Sequence, residues 1–175
     1  MAVAKTVGGS GHHGGMSSWN DVEKAAPELA AAVRGRIDAH GLAILATVRS
    51  DGWPRLSGIE PLFAVGELWL GSMPRSRKAD DMDRDGRIAL HSATTDKNVA
   101  EGDVKITGRA VAADEPATQA AFVDAWRAAH GTAVPEPFRL YRVDVTELAM
   151  IRPAEGQLAI DSWRVGSAPK RVLRS

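Results

Sequence analysis

Between residues 42 and 72 the chain carries three strand-like runs joined by two tight turns. Leu42-Ala43-Ile44-Leu45-Ala46-Thr47-Val48-Arg49 is apolar and partly β-branched, and Ser50-Asp51-Gly52 behind it carries the Asp-Gly pair of a hairpin turn. Strand character resumes from Trp53 to Val65, Gly66-Glu67 turns the chain again, and Leu68-Trp69-Leu70-Gly71-Ser72 returns. Connections this short join antiparallel neighbours only, because a parallel pair needs a long crossover. The result is an antiparallel meander. More strands follow: residues 87–92, residues 104–111 with a period of two, residues 138–152 and residues 158–165. A meander with so many strands still to place points to a barrel.

Helices are few. Leu29, Val33 and Ile37 recur at four-residue spacing, with alanines between them and charges on the far side. Pro27 divides this stretch into a short helix and a main one starting near Pro27, where proline is tolerated, and Gly41 ends it. Asp114-Glu115-Pro116 opens another helix with Asp114 as the expected cap; Phe122, Trp126 and Ala129 share a face, and Gly131 terminates it. Pro169-Lys170-Arg171 opens a basic tail. The fold class expected is mainly β with peripheral helices.

A length of 175 residues accommodates one domain, expected over residues 16–175. Residues 1–15, rich in Gly and Ala with a His12-His13 pair, read as a disordered leader or tag-like tail, with Met16 as a candidate native start. Lys5 and the glycines deny this stretch the apolar core of a secretory signal. The absence of cysteine excludes disulfides, thiolate metal sites and cysteine nucleophiles, and it suits a cytoplasmic location. Lys plus Arg and Asp plus Glu number 22 each, so no global basic field argues for nucleic acid. No apolar run is long enough for a membrane-spanning helix.

The run Ser72-Met73-Pro74-Arg75-Ser76-Arg77-Lys78 is the chemically informative one. It reads as a strand end, a turn and the first turn of a helix that carries three cations, with Ser76 as N-cap and Asp80 and Asp81 following it. A helix start with free N–H groups, a hydroxyl and Arg and Lys side chains suits an anion, phosphate above all. The competing reading is a solvated helix start that binds nothing.

The order of these pieces (strand, Asp-Gly turn, two more strands, then Ser76-Arg77-Lys78-Ala79 opening a helix that leads to Arg87-Ile88-Ala89-Leu90) resembles the pyridoxamine 5′-phosphate oxidase-like superfamily. These are the flavin- and deazaflavin-binding split barrels. The likeness covers residues 42–112 well and the C-terminal strands, with Ile160-Asp161-Ser162-Trp163-Arg164, more loosely. It implies a six-stranded split β-barrel, usually a homodimer, with two cofactors in clefts between the subunits. On this resemblance, Arg77 and Lys78 clamp the cofactor's terminal phosphate with Ser76 beside them. Arg55, Ser57, Gly58 and Ile59 run along the ribityl chain and ring, and Gly71, Ser72 and Met73 present backbone to the ring. Trp163 and Arg164 match a region that the partner chain contributes. The C-terminal Arg-and-His signature of true pyridoxamine phosphate oxidases is not legible, which favours the broader family over that activity.

Other residues carry weaker signals. His91, on the fourth strand, is either a contact to cofactor or substrate or a histidine hydrogen-bonded in place. His40 and His130 sit at helix ends, where a protonated imidazole complements the dipole. Trp163 lies among polar neighbours and reads as either an interface or a ring-stacking residue, whereas Phe122 and Trp126 read as core and Trp53 as exposed or at an interface. Asp80, Asp81, Asp83 and Asp85 lack the glycine-centred loop of a calcium site and read as a solvated acidic face. No metal site is expected, and no hydrolase triad, HExxH or GxGxxG motif appears. The expectation is therefore a dimeric oxidoreductase that binds FMN, or alternatively F420, and acts on a small organic molecule. A non-catalytic flavin or haem carrier, with His91 as axial ligand in the haem case, is the rival.

Overall fold

The computed structural model describes residues 17–94 and 97–175, so the expectation for residues 1–15 lies outside the described residues. Among the described residues, nine strands form one antiparallel sheet: β1 (Ala43–Val48), β2 (Pro54–Ile59), β3 (Pro61–Ala64), β4 (Glu67–Ser72), β5 (Arg87–Ser92), β6 (Asp103–Ala112), β7 (Arg139–Ala154), β8 (Gln157–Arg164) and β9 (Lys170–Arg174). Four helices surround it: α1 (Trp19–Ala25), α2 (Pro27–Asp38), α3 (Arg77–Arg84) and α4 (Pro116–His130).

The ladder order is β2-β1-β5-β6-β7-β4-β3, with β8 and β9 added beyond β7. Its two ends, β2 and β3, are separated in sequence by Glu60 alone. One bent strand therefore pairs with β1 through its first half and with β4 through its second. That continuity closes the path into a barrel of six strands, counting β2 and β3 together, which is the split barrel expected. The opening lies where β2 leaves the ladder and passes beside β4.

Period-two alternation decides what fills the barrel. Ala43, Leu45 and Thr47 of β1, Ile88 and Leu90 of β5, Val104 and Ile106 of β6, and Tyr141, Val143 and Val145 of β7 are all buried. α1 and α2 close one mouth with Trp19, Val22, Leu29, Val33 and Ile37. α1 starts at a reciprocal capping box between Ser18 and Asp21. Pro27 opens α2, as the sequence predicts. Arg36, buried at the far end of α2, donates to the carbonyls of Gly102 and Ala93 and so ties down the β5–β6 connection.

Three expectations change. The C-terminal basic stretch is not a tail but strand β9, paired with β8. α4 is capped by Glu115 rather than Asp114, with Pro116 at its first position and no side-chain bond at the cap, and Ala129 is exposed. The aspartates of α3 are not a solvated face. Asp81 is buried and accepts from Thr47 Oγ1 at 2.8 Å, Arg55 Nε at 2.6 Å and Arg84. Asp83 accepts from the Tyr141 hydroxyl at 2.9 Å and pairs with Arg139 at 2.8 Å, while Asp85 pairs with Arg87. Burial and the Asp83 carboxylate push the Tyr141 hydroxyl well above the usual tyrosine range. Asp81 and Asp83 fasten the helix to the barrel, while Asp80 remains exposed and Asp85 makes only its local pair.

At the β6–β7 ladder the register shifts between Thr107 and Gly108. A Cβ on Gly108 would lie 2.4 Å from the Asp144 carbonyl oxygen, so the strands approach there only because no side chain intervenes. Gly108→Ala is expected to cost about 2 kcal/mol as the backbone is pushed apart, read as a lower urea midpoint. Burial alone would raise the Asp81 pKa, but the bonds from Arg55 and Thr47 outweigh it and hold the carboxyl below its usual 3.8. The stability it contributes is therefore complete above that value and lost as pH falls through the lower folded-state value. Asp81→Asn should destabilise the fold by about 3 kcal/mol at pH 7, because the Arg55 and Arg84 charges lose their partner. Its deficit relative to the wild-type chain should shrink as pH drops below 3.8 in urea titrations.

Candidate functional site

The start of α3 is built as its sequence predicts. Ser76 has an extended backbone at the N-cap, and its Oγ accepts from the Ala79 N–H at 3.3 Å. The same hydroxyl meets Ser72 Oγ at 2.7 Å, which joins the helix start to the end of β4. Ala79 and Met82 anchor the inner face of α3 in the barrel core. Fixed in this way, the helix leaves Arg75 and Arg77 exposed, with no acidic partner among the described residues. Lys78 instead turns inward and donates from Nζ to the Gly58 carbonyl of β2 at 2.7 Å. Burial pulls the Lys78 ammonium below the usual lysine range, opposed by the nearby Glu60 carboxylate.

Lys78 stands on the wall of a cavity of about 300 Å³ at the split between β2 and β4. One side consists of Leu42, Gly58, Ile59 and Glu60, the floor of Gly71, Ser72 and Met73, and the far side of Phe122, Trp126, Val134, Pro135 and Phe138. The fold thus gathers six of the residues singled out in the sequence: Gly58, Ile59, Gly71, Ser72, Met73 and Lys78. Ser76 and Arg77 adjoin them at the helix start. A Cβ on Gly58 would meet nothing within 4 Å, so open space stands over the strand at the point where a flat ring would lie. Phosphate-suited cations at one end and a bare strand backbone beside them fit a flavin nucleotide in chemistry.

The remaining candidates lie elsewhere in the single chain. Ser57 is half-buried on β2, one residue from the cavity. Arg55 is committed to Asp81 and supports α3 from below. His91 sits on the outer face of β5 opposite Ile44, with Nδ1 2.8 Å from the Ser92 carbonyl oxygen and Nε2 4.0 Å from Asp103. Trp163 is buried in the barrel core, and Arg164 pairs with Glu147 at 2.6 Å. These two border a separate cavity of about 670 Å³ with Lys105 and Lys170, over the second half of β7 where it pairs with β8, away from the stretch that pairs with β4.

The far wall of the first cavity is absent from the sequence-based site. α4 and residues 131–138 supply it, where the sequence offered only the four-residue spacing of Phe122 and Trp126, read as core. The core reading holds, since the two side chains are buried in a second apolar cluster, and they border the cavity besides. Nothing in a linear pattern states that a helix lies over a barrel opening.

Comparison with known proteins agrees with this fold. The family model described as Pyridoxamine 5'-phosphate oxidase matches residues 29–152. No curated protein matches the sequence. Among solved structures, a pyridoxamine 5'-phosphate oxidase-related, FMN binding protein from Nostoc punctiforme is 14% identical, with a TM-score of 0.59 over 86% of this chain and 96% of its own. PhzG from Burkholderia lata, in complex with tetrahydrophenazine-1-carboxylic acid, is 16% identical, with a TM-score of 0.56 over 87% and 91%. A heme binding protein from Mycobacterium smegmatis is 20% identical, with a TM-score of 0.57 over 77% of this chain and 57% of its own. At these identities the structures share a fold, and the sequence match to the family model spans most of the barrel. The chain belongs to the pyridoxamine 5'-phosphate oxidase family.

Proposed function

We propose that this protein is an FMN-binding oxidoreductase whose cofactor occupies the cleft between α3, β2 and β4. The observation that carries the reading is the unpaired pair Arg75 and Arg77 at the start of α3, beside Lys78 and a cavity bordered by Gly58 and Gly71. Arg77 offers a planar fork and Lys78 a point charge to a phosphate, and the first N–H groups of α3 add to both. The bare backbone of Gly58, where a Cβ would meet nothing within 4 Å, receives the ring. When bound, the flavin supplies the hydride chemistry, and the protein positions it and sets its electrostatics. The FMN-binding Nostoc neighbour supports this cofactor. The haem-binding neighbour keeps a tetrapyrrole carrier as the rival, in which the exposed edge of His91 gains importance.

A homodimer completes the reading. Leu42, Ile44, Trp53 and Leu56 are exposed on β1, β2 and their turn, Trp53 and Leu56 at 70% and 72%, and Met73 lies at the cavity at 70%. A contiguous apolar face of this kind on a soluble chain marks an interface. It runs up to the cavity edge at Leu42. A second copy there would also bring its own outer strands, and with them the exposed Arg164, within reach of a cofactor that one chain leaves partly uncovered, whereas Trp163 stays in its own barrel core. No described helix is long and apolar enough to cross a membrane.

Replacing Arg77 and Lys78 together by Ala should weaken FMN binding at least about a hundredfold, since two charge-assisted contacts to phosphate are lost. The measurement is equilibrium quenching of flavin fluorescence, with F420 titrated in parallel. Unchanged affinity removes the clamp from the proposal, preference for F420 recasts the protein as a deazaflavin-dependent reductase, and a Soret band on the purified protein favours the haem carrier. Leu56→Glu should convert a dimer to monomers in sedimentation velocity, and a wild-type chain already monomeric would remove the dimer from the reading.

A further inference from the structure

The chain holds no cysteine, so methionine is its most readily oxidised residue type. Three of its five methionines fall among the described residues, and the fold treats them differently. Met82 of α3 is 2% exposed and Met150 of β7 is 6% exposed, both within the barrel core. Met73 is 70% exposed, belongs to neither apolar cluster, and stands just past the end of β4 on the floor of the cavity that Lys78 also lines. Its backbone is fixed there. The Ser76 N–H donates to the Met73 carbonyl at 3.1 Å, and the Ser72 and Ser76 hydroxyls meet on either side of it.

The position gives the sulfur an oxidant as well as access. Resting on the flavin reading above, dioxygen that takes two electrons and two protons in this cavity leaves it as hydrogen peroxide, released beside the sulfur. A sulfur lone pair attacks one peroxide oxygen, the O–O bond breaks, and the other oxygen leaves as water with both protons. The sulfur is oxidised by two electrons and the peroxide is reduced by two. An apolar thioether thereby becomes a polar sulfoxide with an acceptor oxygen. A flat ring laid on the cavity floor strips that oxygen of water, and the same oxygen offers the Lys78 ammonium an acceptor in competition with a phosphate.

We propose that Met73 is a peroxide-sensitive modification site, and that its conversion to the sulfoxide loosens cofactor binding in the cleft where the peroxide arises. Enzymatic reduction of the sulfoxide restores the thioether, so the change is reversible. Met82 and Met150 are withheld from the oxidant by burial, which keeps the barrel core intact while Met73 reacts.

The test treats the full, folded chain with dilute hydrogen peroxide, with and without FMN. Tryptic cleavage after Arg75 and Arg84 places Met73, Met82 and Met150 on separate peptides, so the gain of one oxygen is read at each by mass spectrometry. Met73 should oxidise at least about tenfold faster than the other two in the folded chain, and all three should react alike in urea. Bound FMN should slow the reaction at Met73. Quenching of flavin fluorescence should then show the oxidised chain binding FMN at least about fivefold more weakly, with affinity restored by methionine sulfoxide reductase. Met73→Leu keeps an apolar side chain and removes the sulfur; whatever its starting FMN affinity, peroxide should leave that affinity unmoved. Met73→Gln, polar without oxidation, should bind FMN as weakly as the oxidised wild-type chain, with circular dichroism melts confirming that each variant is folded. Equal oxidation of the three methionines in the folded chain overturns the inference, as does a Met73 that resists peroxide because a second copy shields it. Unchanged FMN affinity after selective oxidation, or a peroxide effect that persists in Met73→Leu, overturns it equally. Failure of the untreated wild-type chain to bind FMN overturns the cofactor reading; selective oxidation by added peroxide then still supports the modification site, and uniform oxidation removes it.

Discussion

The carboxylate of Asp81 organises this molecule. It lies beneath α3 and takes hydrogen bonds from Thr47 of β1, Arg55 of β2 and Arg84 of its own helix. A buried charge is costly unless every lone pair finds a donor, and here the donors come from β1, β2 and the helix itself. The helix is thereby held in one position and one rotation. Its outer face then presents Arg75 and Arg77 to solvent, while Lys78 reaches across to β2. Tyr141 and Arg139 secure the next turn through Asp83, so α3 is attached to both sides of the opening. Arg55 serves the site by holding its helix.

The second constraint is the single-residue break at Glu60. A continuous strand would have to stay with one neighbour, but the interruption lets the first half pair with β1 and the second with β4. The barrel closes through covalent bonds at that point, and ladder hydrogen bonding is given up along part of β2. Gly58 and Ile59 consequently pair with β1 and also border the cavity. α4 covers the gap with a small apolar cluster of its own, centred on Phe122, Trp126, Trp69 and Leu140. The polar end and the aromatic end of the cavity thus come from separate parts of the chain. One is the α3 start with the split strand, the other a helix inserted between β6 and β7.

Much of this was legible in residue order, for local reasons. Asp51-Gly52 and Gly66-Glu67 mark hairpins because Gly52 and Gly66 take positive φ, so β1 to β4 had to be a meander, while the positive φ of Val65 is added by the fold. Ser76 declares a helix start through its capping bond, and Pro27 and Gly41 bracket α2 by backbone geometry alone. The aspartates of α3 were misread because a sequence shows charge but not the donors that will face it. Thr47, Arg55, Tyr141 and Arg139 are distant in the chain and meet α3 only after closure. β9 was misread for a related reason: Lys170 and Arg171 look solvated, and they are, yet their backbone completes a ladder with β8.

By itself the sequence determined the strand meander, the few helices and the chemistry of the α3 start, because turns, caps and periodicity act within a few residues. The tertiary structure decided where that chemistry is used. It brought Gly58 within reach of Lys78, twenty residues away, and committed Arg55 to Asp81. It moved His91 to the outer face and Trp163 into the core, and laid Phe122 and Trp126 across the split. Each of these depends on which strands the bent β2–β3 segment joins. That choice follows from burying two faces at once, a property of the closed barrel that no short stretch of residues possesses.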